Sequence, residues 1–224
     1  MILRFYPLIL GTLLLVGCDN TSTASDAVQS QMGSAGAIDS ASARTYRLRL
    51  TQLGAADQQD RQEFMTTLRQ YGPGSTQFAT VRRQMEHQDS VRLREFLALE
   101  KRYGWPQKSQ VGAEGVGYAY LLIQHSPEQI QVSYQSKIQA SYERGELSGA
   151  DYATYLDRML GYQGKPQRYG TQYAIRVLSN GREESYLLPI EDLSQVDERR
   201  ETVQLEPLLP QLVPGTLVFK PGMK

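Results

Sequence analysis

Two residues in this sequence are of the types that share work on a proton. His125 closes the apolar run Leu121-Leu122-Ile123-Gln124, and it is the histidine that lies nearest the polar segments of the chain. An imidazole titrates close to neutrality, so this residue is the candidate general base. Asp157, with Arg158 beside it, falls in the last turn of a later helical pattern, where a carboxylate meets the unfavourable end of the helix dipole unless it is paired. Arg168, Arg199 and His125 are the available partners. If Asp157 orients His125, the two form two-thirds of a nucleophile-activating triad. No Gly-x-Ser-x-Gly elbow and no second thiol supplies the third member. The structural alternative is that His125 caps the carbonyls at the end of its own helix, an interaction worth up to about 2 kcal/mol.

A second set of chemistry-bearing groups lies in the stretch Tyr162-Gln-Gly-Lys-Pro-Gln-Arg-Tyr-Gly-Thr-Gln-Tyr173. Lys165, Gln167, Arg168, Tyr169, Thr171 and Gln172, joined by Arg158, offer cations, amides, a hydroxyl and a phenol. That set suits an anionic or sugar-like ligand. The same amides and hydroxyls also suit an irregular connection that must hydrogen-bond its own backbone. Metal chemistry of the zinc type has little material, with two histidines and one cysteine in the whole chain. Nucleotide-binding, His-Glu-x-x-His and calcium-loop patterns are absent, so no cofactor is implied.

The elements that must position these groups are mostly helical. From Arg44, Leu48, Leu53, Phe64, Met65 and Leu68 recur at helical intervals around a polar middle, and Gly72-Pro73-Gly74 stops the run. A second helix is expected over Thr76 to Tyr103, ended by Gly104-Trp105-Pro106, with Trp105 read as an anchor at the helix end rather than a ligand platform. Val111 to His125 reads as a buried helix whose glycines permit close approach. Ser126-Pro127-Glu128-Gln129 and Ser148-Gly149-Ala150-Asp151 read as helix starts capped by serine. Tyr173, Ile175 and Val177 alternate with Ala174 and Arg176 ahead of Asn180-Gly181, a hairpin returning through Glu184 to Leu188. Ser194 with Asp197 opens a short helix to Val203, its charges in solvent, and the proline-rich tail from Leu205 is expected to lie extended or irregular on the surface. The fold class is mainly α: a bundle of about five helices with an appended two-stranded hairpin and a short C-terminal helix.

The front of the chain concerns location. Residues 1–17 carry one cation and an apolar run of about a dozen residues, short of the roughly 20 needed to span a bilayer, and read as a secretory leader. Leu15-Val16-Gly17-Cys18 looks like a bacterial lipobox, which makes Cys18 the residue that carries a diacylglycerol. Asp19 then favours the periplasmic face of the inner membrane, with the outer membrane as the alternative. Residues 18–43 are polar and small, a tether spanning about 25 to 30 Å as a flexible coil, which lifts the domain clear of the headgroups. A single domain over residues 44–210 and a tail over 211–224 complete the organisation. The 24 basic groups balance 24 acidic ones, which argues against nucleic acid as a partner.

Several of these segments together resemble a bacterial family, domain of unknown function 6624. The pieces are Asp57-Gln58 with Arg61, Gly104-Trp105-Pro106 with Val111-Gly112, Gln124-His125, Asp157-Arg158, Gly164-Lys165-Pro166-Gln167-Arg168-Tyr169-Gly170-Thr171-Gln172, Pro189-Ile190-Glu191-Asp192, and Val196-Asp197 with Arg199-Arg200. The resemblance covers about residues 50 to 210, and the Pro-Gln-x-Tyr-Gly-Thr-Gln string is its most specific part. One departure is that an Asn usually follows an Asp of the second helix, whereas Asp89 here precedes Ser90, Val91 and Arg92. The resemblance implies no reaction. Three readings therefore stand: a non-enzymatic binding or structural lipoprotein with a polar pocket near His125, Asp157 and the 162–173 loop; a periplasmic hydrolase; and an inhibitor or immunity-type module that binds another envelope protein.

Overall fold

The computed structural model describes residues 38–177, 183–208, 210, 212 and 217–218. Five helices follow one another: α1 (Ser40–Tyr71), α2 (Thr76–Tyr103), α3 (Lys108–Gln124), α4 (Glu128–Glu143) and α5 (Gly149–Tyr162). Strands β1 (Tyr173–Val177) and β2 (Glu183–Leu187), a 3-10 turn over Leu193–Gln195, α6 (Val196–Glu201) and the short strand β3 (Leu217–Val218) complete the order. The mainly helical bundle with an appended hairpin and a short late helix is the architecture that the sequence implies. The turn residues Asn180-Gly181, the leader and Cys18 lie outside the described residues.

α1 starts earlier than its apolar pattern suggests. The Asp39 carboxylate accepts the backbone N–H groups of Ala41 and Ser42 at 2.9 and 3.0 Å, so residues 40–43, expected in the tether, are helical. The inner face of α1 is Tyr46, Leu50, Leu53 and Asp57, spaced four, three and four residues apart. Leu48, expected inside, stands two residues from Tyr46, about 200° around the helix, and is 57 % exposed. α1 packs most closely against α3 and α2. The approach to α3 is tight: a Cβ on Gly54 would lie 2.0 Å from the Tyr118 ring. Within α3, Gly115 is also tightly packed, a Cβ there lying 2.8 Å from the Val111 side chain and 3.7 Å from Leu50 of α1. Gly112 instead kinks α3 after its first turn, with φ +76° and ψ 169°.

Phe96, Val111, Val116, Ala119, Ile123, Ile138, Tyr155 and Met159 join the α1 residues in the main core. Trp105 anchors the end of α2, edge-on to Phe96 at 6.0 Å and tilted on Tyr134 at 5.8 Å. Two serines were expected to cap helices and do not. The Ser126 hydroxyl donates to the Ile123 carbonyl at 2.7 Å, and α4 starts after Pro127 without a side-chain cap. Asp192, not Ser194, caps the 3-10 turn by accepting the Ser194 N–H at 3.0 Å. Ser148 does cap α5, accepting the Asp151 N–H at 3.1 Å.

β1 and β2 pair antiparallel from Tyr173 with Leu187 to Val177 with Glu183. β3 then adds to β2 in parallel, Tyr186 opposite Leu217 and Leu187 opposite Val218, a third strand beyond the two expected. The segment after α6 is correspondingly not a surface tail throughout: Leu208 is buried with Leu187 and Val196 in a small second core. Among the described residues, no helix is long and apolar enough to cross a membrane.

Candidate functional site

His125 caps the C-terminus of α3, its backbone N–H returning to the Leu121 carbonyl at 2.9 Å. Its side chain points into the bundle, where Nδ1 meets Asp57 Oδ1 of α1 at 2.9 Å. The two side chains are 5 % and 1 % exposed. Burial drives the imidazole below its ordinary pKa, against the opposing pull of Asp57. Burial also works against the Asp57 carboxylate, but the His125 hydrogen bond and the charges of Arg61 and Arg92 outweigh it and hold this carboxyl below the usual range. At neutral pH the imidazole is therefore neutral, Nδ1 donates its proton to Asp57, and Nε2 is a lone-pair acceptor. Nε2 is buried and has no hydrogen-bond partner among the described residues.

Around this pair α1 and α2 exchange charges. Gln58 donates to Asp57 at 2.9 Å. Arg61 reaches Asp89 at 2.6 Å and the Met85 sulfur at 3.0 Å, with Asp57 farther off at 3.4 Å. Arg92, itself buried, bridges Asp60 at 2.7 Å and Asp89 at 3.0 Å. The second helix thus contributes to the polar cluster through Asp89 and Arg92, although Ser90 and Val91 replace the expected asparagine pattern. From the other side, Arg158 Nη1 donates to the Gln124 carbonyl at 2.9 Å. The Gln124 amide, turned so that both groups are satisfied, accepts from Arg158 Nη2 at 3.0 Å.

Asp157 is not the partner of His125. Its carboxylate turns toward the loop after α5, accepting the backbone N–H groups of Arg168 at 2.7 Å, Tyr169 at 3.1 Å and Thr171 at 3.0 Å, and the Thr171 hydroxyl at 2.8 Å. Burial pushes its pKa up from the ordinary value, while these four donors pull it down. The rest of the loop is equally self-contained. Gln167 Nε2 donates to the Gln172 and Leu188 carbonyls at 3.1 and 2.8 Å, and its Oε1 accepts the Gln172 N–H at 2.8 Å. Gln172 Nε2 donates to the Thr154 carbonyl at 3.2 Å. The amides that the sequence offered to a ligand are thus taken up by the chain's own backbone, and the Thr171 hydroxyl by the Asp157 carboxylate.

Lys165 and Arg168 remain at the surface, Arg168 3.6 Å from Glu191. The following helix is not the solvated face expected either. Buried Arg200 donates to the Tyr169 and Glu206 carbonyls, both at 2.6 Å, and Asp197 accepts the Leu208 N–H at 2.7 Å. Among the described residues, no group of three or more histidine, cysteine or carboxylate side chains is arranged to hold a metal.

Residues 44–213 match a family of unknown function, DUF6624. The chain belongs to that family. No curated protein and no solved structure matches the chain. The DUF6624 segments that the sequence displays converge on the two buried carboxylates: Asp57-Gln58, Arg61 and Gln124-His125 on one, Asp157-Arg158 and the 164–172 string on the other. Asp57 was missed as a site residue because it lies in the polar middle of its helix. The signal that could have found it is the DUF6624 dipeptide itself, together with its spacing of four from Leu53 on the inner face.

Proposed function

We propose that the chain is a cell-envelope lipoprotein, anchored through Cys18 at the periplasmic face of the inner membrane, whose helical domain binds a small polar ligand and does not transform it. The observation that supports binding is His125 Nε2, a buried acceptor without a partner among the described residues, in a tautomer set by Asp57. Buried polar groups are seldom left unpaired, and a ligand hydroxyl or amide N–H would complete this one. The large exposed apolar residues, Leu48, Tyr71, Val132, Tyr162 and Leu193, fall on several different elements, which favours a small ligand over a broad protein-binding face. The test is a long-range proton–nitrogen NMR spectrum of the full chain in detergent, titrated with tri-N-acetylglucosamine as a hydroxyl-rich probe. A saturable shift of the Nε2 resonance, absent in His125→Gln, is expected. An unmoved Nε2 resonance at saturating probe overturns the reading for sugars of this type.

One observation favours the hydrolytic reading: Asp57 holds His125 as the orienting carboxylate of a triad would, in the place expected of Asp157. Against it, no serine, threonine or cysteine side chain hydrogen-bonds to Nε2 among the described residues. Turnover of p-nitrophenyl acetate that is lost in both His125→Gln and Asp57→Asn, with the fold retained, would move the assignment to hydrolysis.

A further inference from the structure

An open concavity lies away from His125, at the end where α1 begins. Two adjoining cavities, of about 520 and 750 Å³, share Gly104, Trp105 and Arg144. α1 brings Arg44 and Arg47 to the rim, α2 brings Lys101, and the end of α4 brings Arg144. All four are exposed, and Arg44, Lys101 and Arg144 have no ion-pair partner among the described residues. Arg47 donates only to the Gln110 carbonyl, at 3.3 Å. The carboxylate in the lining, Glu100, is already held by the Tyr134 hydroxyl and Lys137. The groove is therefore a cationic surface with an aromatic floor. Trp105 is fixed there by Phe96, Tyr134 and a 3.4 Å hydrogen bond to Ser141, and Tyr103 is stacked on Tyr46 at 5.0 Å.

We propose that this groove seats the headgroups of an anionic phospholipid surface, so that the domain lies against the membrane instead of standing clear of it on the tether. Cations that attract phosphate and amphipathic rings that prefer the headgroup layer are the two side-chain classes that bilayer interfaces select. Position singles out a bilayer over a soluble anion. Ile38, at the rim of the larger cavity, is the first described residue and lies 20 positions after Cys18, the residue read as the lipid carrier. The proposal takes only this proximity from the anchored-lipoprotein reading.

Trp105 is the sole tryptophan of the chain and reports directly on the groove. The full-length chain, reconstituted into phosphatidylcholine vesicles with or without about 30 mol % phosphatidylglycerol, is read by tryptophan emission and acrylamide quenching. A blue shift and reduced quenching are expected with the anionic lipid alone, reversed at about 0.5 M salt, where screening shortens to about 4 Å. Each basic group near such a surface is worth about fivefold in affinity, so Arg44→Gln with Arg144→Gln should weaken the response about 25-fold. Both residues are exposed, so the melting temperature should not move.

An equal response in pure phosphatidylcholine, or none in either vesicle, overturns the proposal. So does the same response produced by free glycerol phosphate, which would make the ligand a soluble anion. Release of the chain from phosphatidylcholine vesicles by salt would overturn the anchor at Cys18, while a phosphatidylglycerol response in the same preparation would still support the groove.

Discussion

Asp57 and Asp157 are the same residue type at nearly the same burial, 1 % and 0 % exposed, yet the fold stabilises them by opposite means. Asp57 is held by side chains from distant parts of the sequence, an imidazole on α3 and a guanidinium that it shares with Asp89 on α2. Asp157 is held by three backbone N–H groups and one hydroxyl from a single loop. The His125 hydrogen bond together with the charges of Arg61 and Arg92 lowers the first carboxyl's pKa, whereas the loop's donors do not fully offset burial of the second. A buried carboxylate can thus be either a node between helices or the centre around which a loop is wound, and only the first has beside it a buried nitrogen without a partner among the described residues.

The comparison predicts a ranking that mutation can break. Asp157→Ala should be the costliest change, because it leaves three buried or part-buried N–H groups without an acceptor at about 1 to 3 kcal/mol each. A loss of about 4 kcal/mol or more, or roughly 10 °C in the midpoint of thermal denaturation, is expected for a domain of this size. His125→Ala comes next, at about 2 to 3 kcal/mol, since Asp57 keeps Gln58 and Arg61 while a cavity opens. If the His125 variant melts below the Asp157 variant, the ranking is reversed and the α1–α3 node is the stronger of the two.

A pH titration sharpens the same contrast. The folded-state pKa of His125 is depressed, so between that value and about 6.5 the unfolded chain binds more protons than the folded one. Stability should therefore fall as pH drops below about 6.5, and His125→Gln should flatten that limb. The raised pKa of Asp157 acts in the other direction: its contribution grows as pH falls through the folded value toward 3.8. Chemical denaturation at a series of pH values separates the two. The smallest effect is expected from Thr171→Val, which removes one of the four donors to Asp157 and should cost about 1 kcal/mol. A cost as large as that of Asp157→Ala would mean that the hydroxyl, not the backbone, organises the loop.

Much of the fold was legible because it rests on local rules. The span of α2 could be read from an apolar period and a Gly-Trp-Pro stop, and the helix runs over Thr76–Tyr103. The hairpin followed from alternation ahead of Asn180-Gly181. The pairing of His125 was not legible, because Asp57 and Asp157 are both polar residues in helices and nothing local says which one faces α3. The third strand was hidden for the same reason, since two residues of a proline-rich tail carry no period of their own. The Gln-rich loop showed its composition but not its orientation, and its amides face inward because a buried irregular backbone must be hydrogen-bonded.

The two carboxylates also differ in how far the chain must travel to meet them. Asp157 closes rings of 11 to 14 residues, whereas the contact from Asp57 to His125 spans 68. Loop-closure entropy rises with the logarithm of length, so the longer ring is disfavoured by about 1.5 kcal/mol before any favourable contact forms. The loop after α5 can therefore organise from neighbouring sequence alone, early in the search for the native state. The α1–α3 node must wait until the whole of α2 has doubled back.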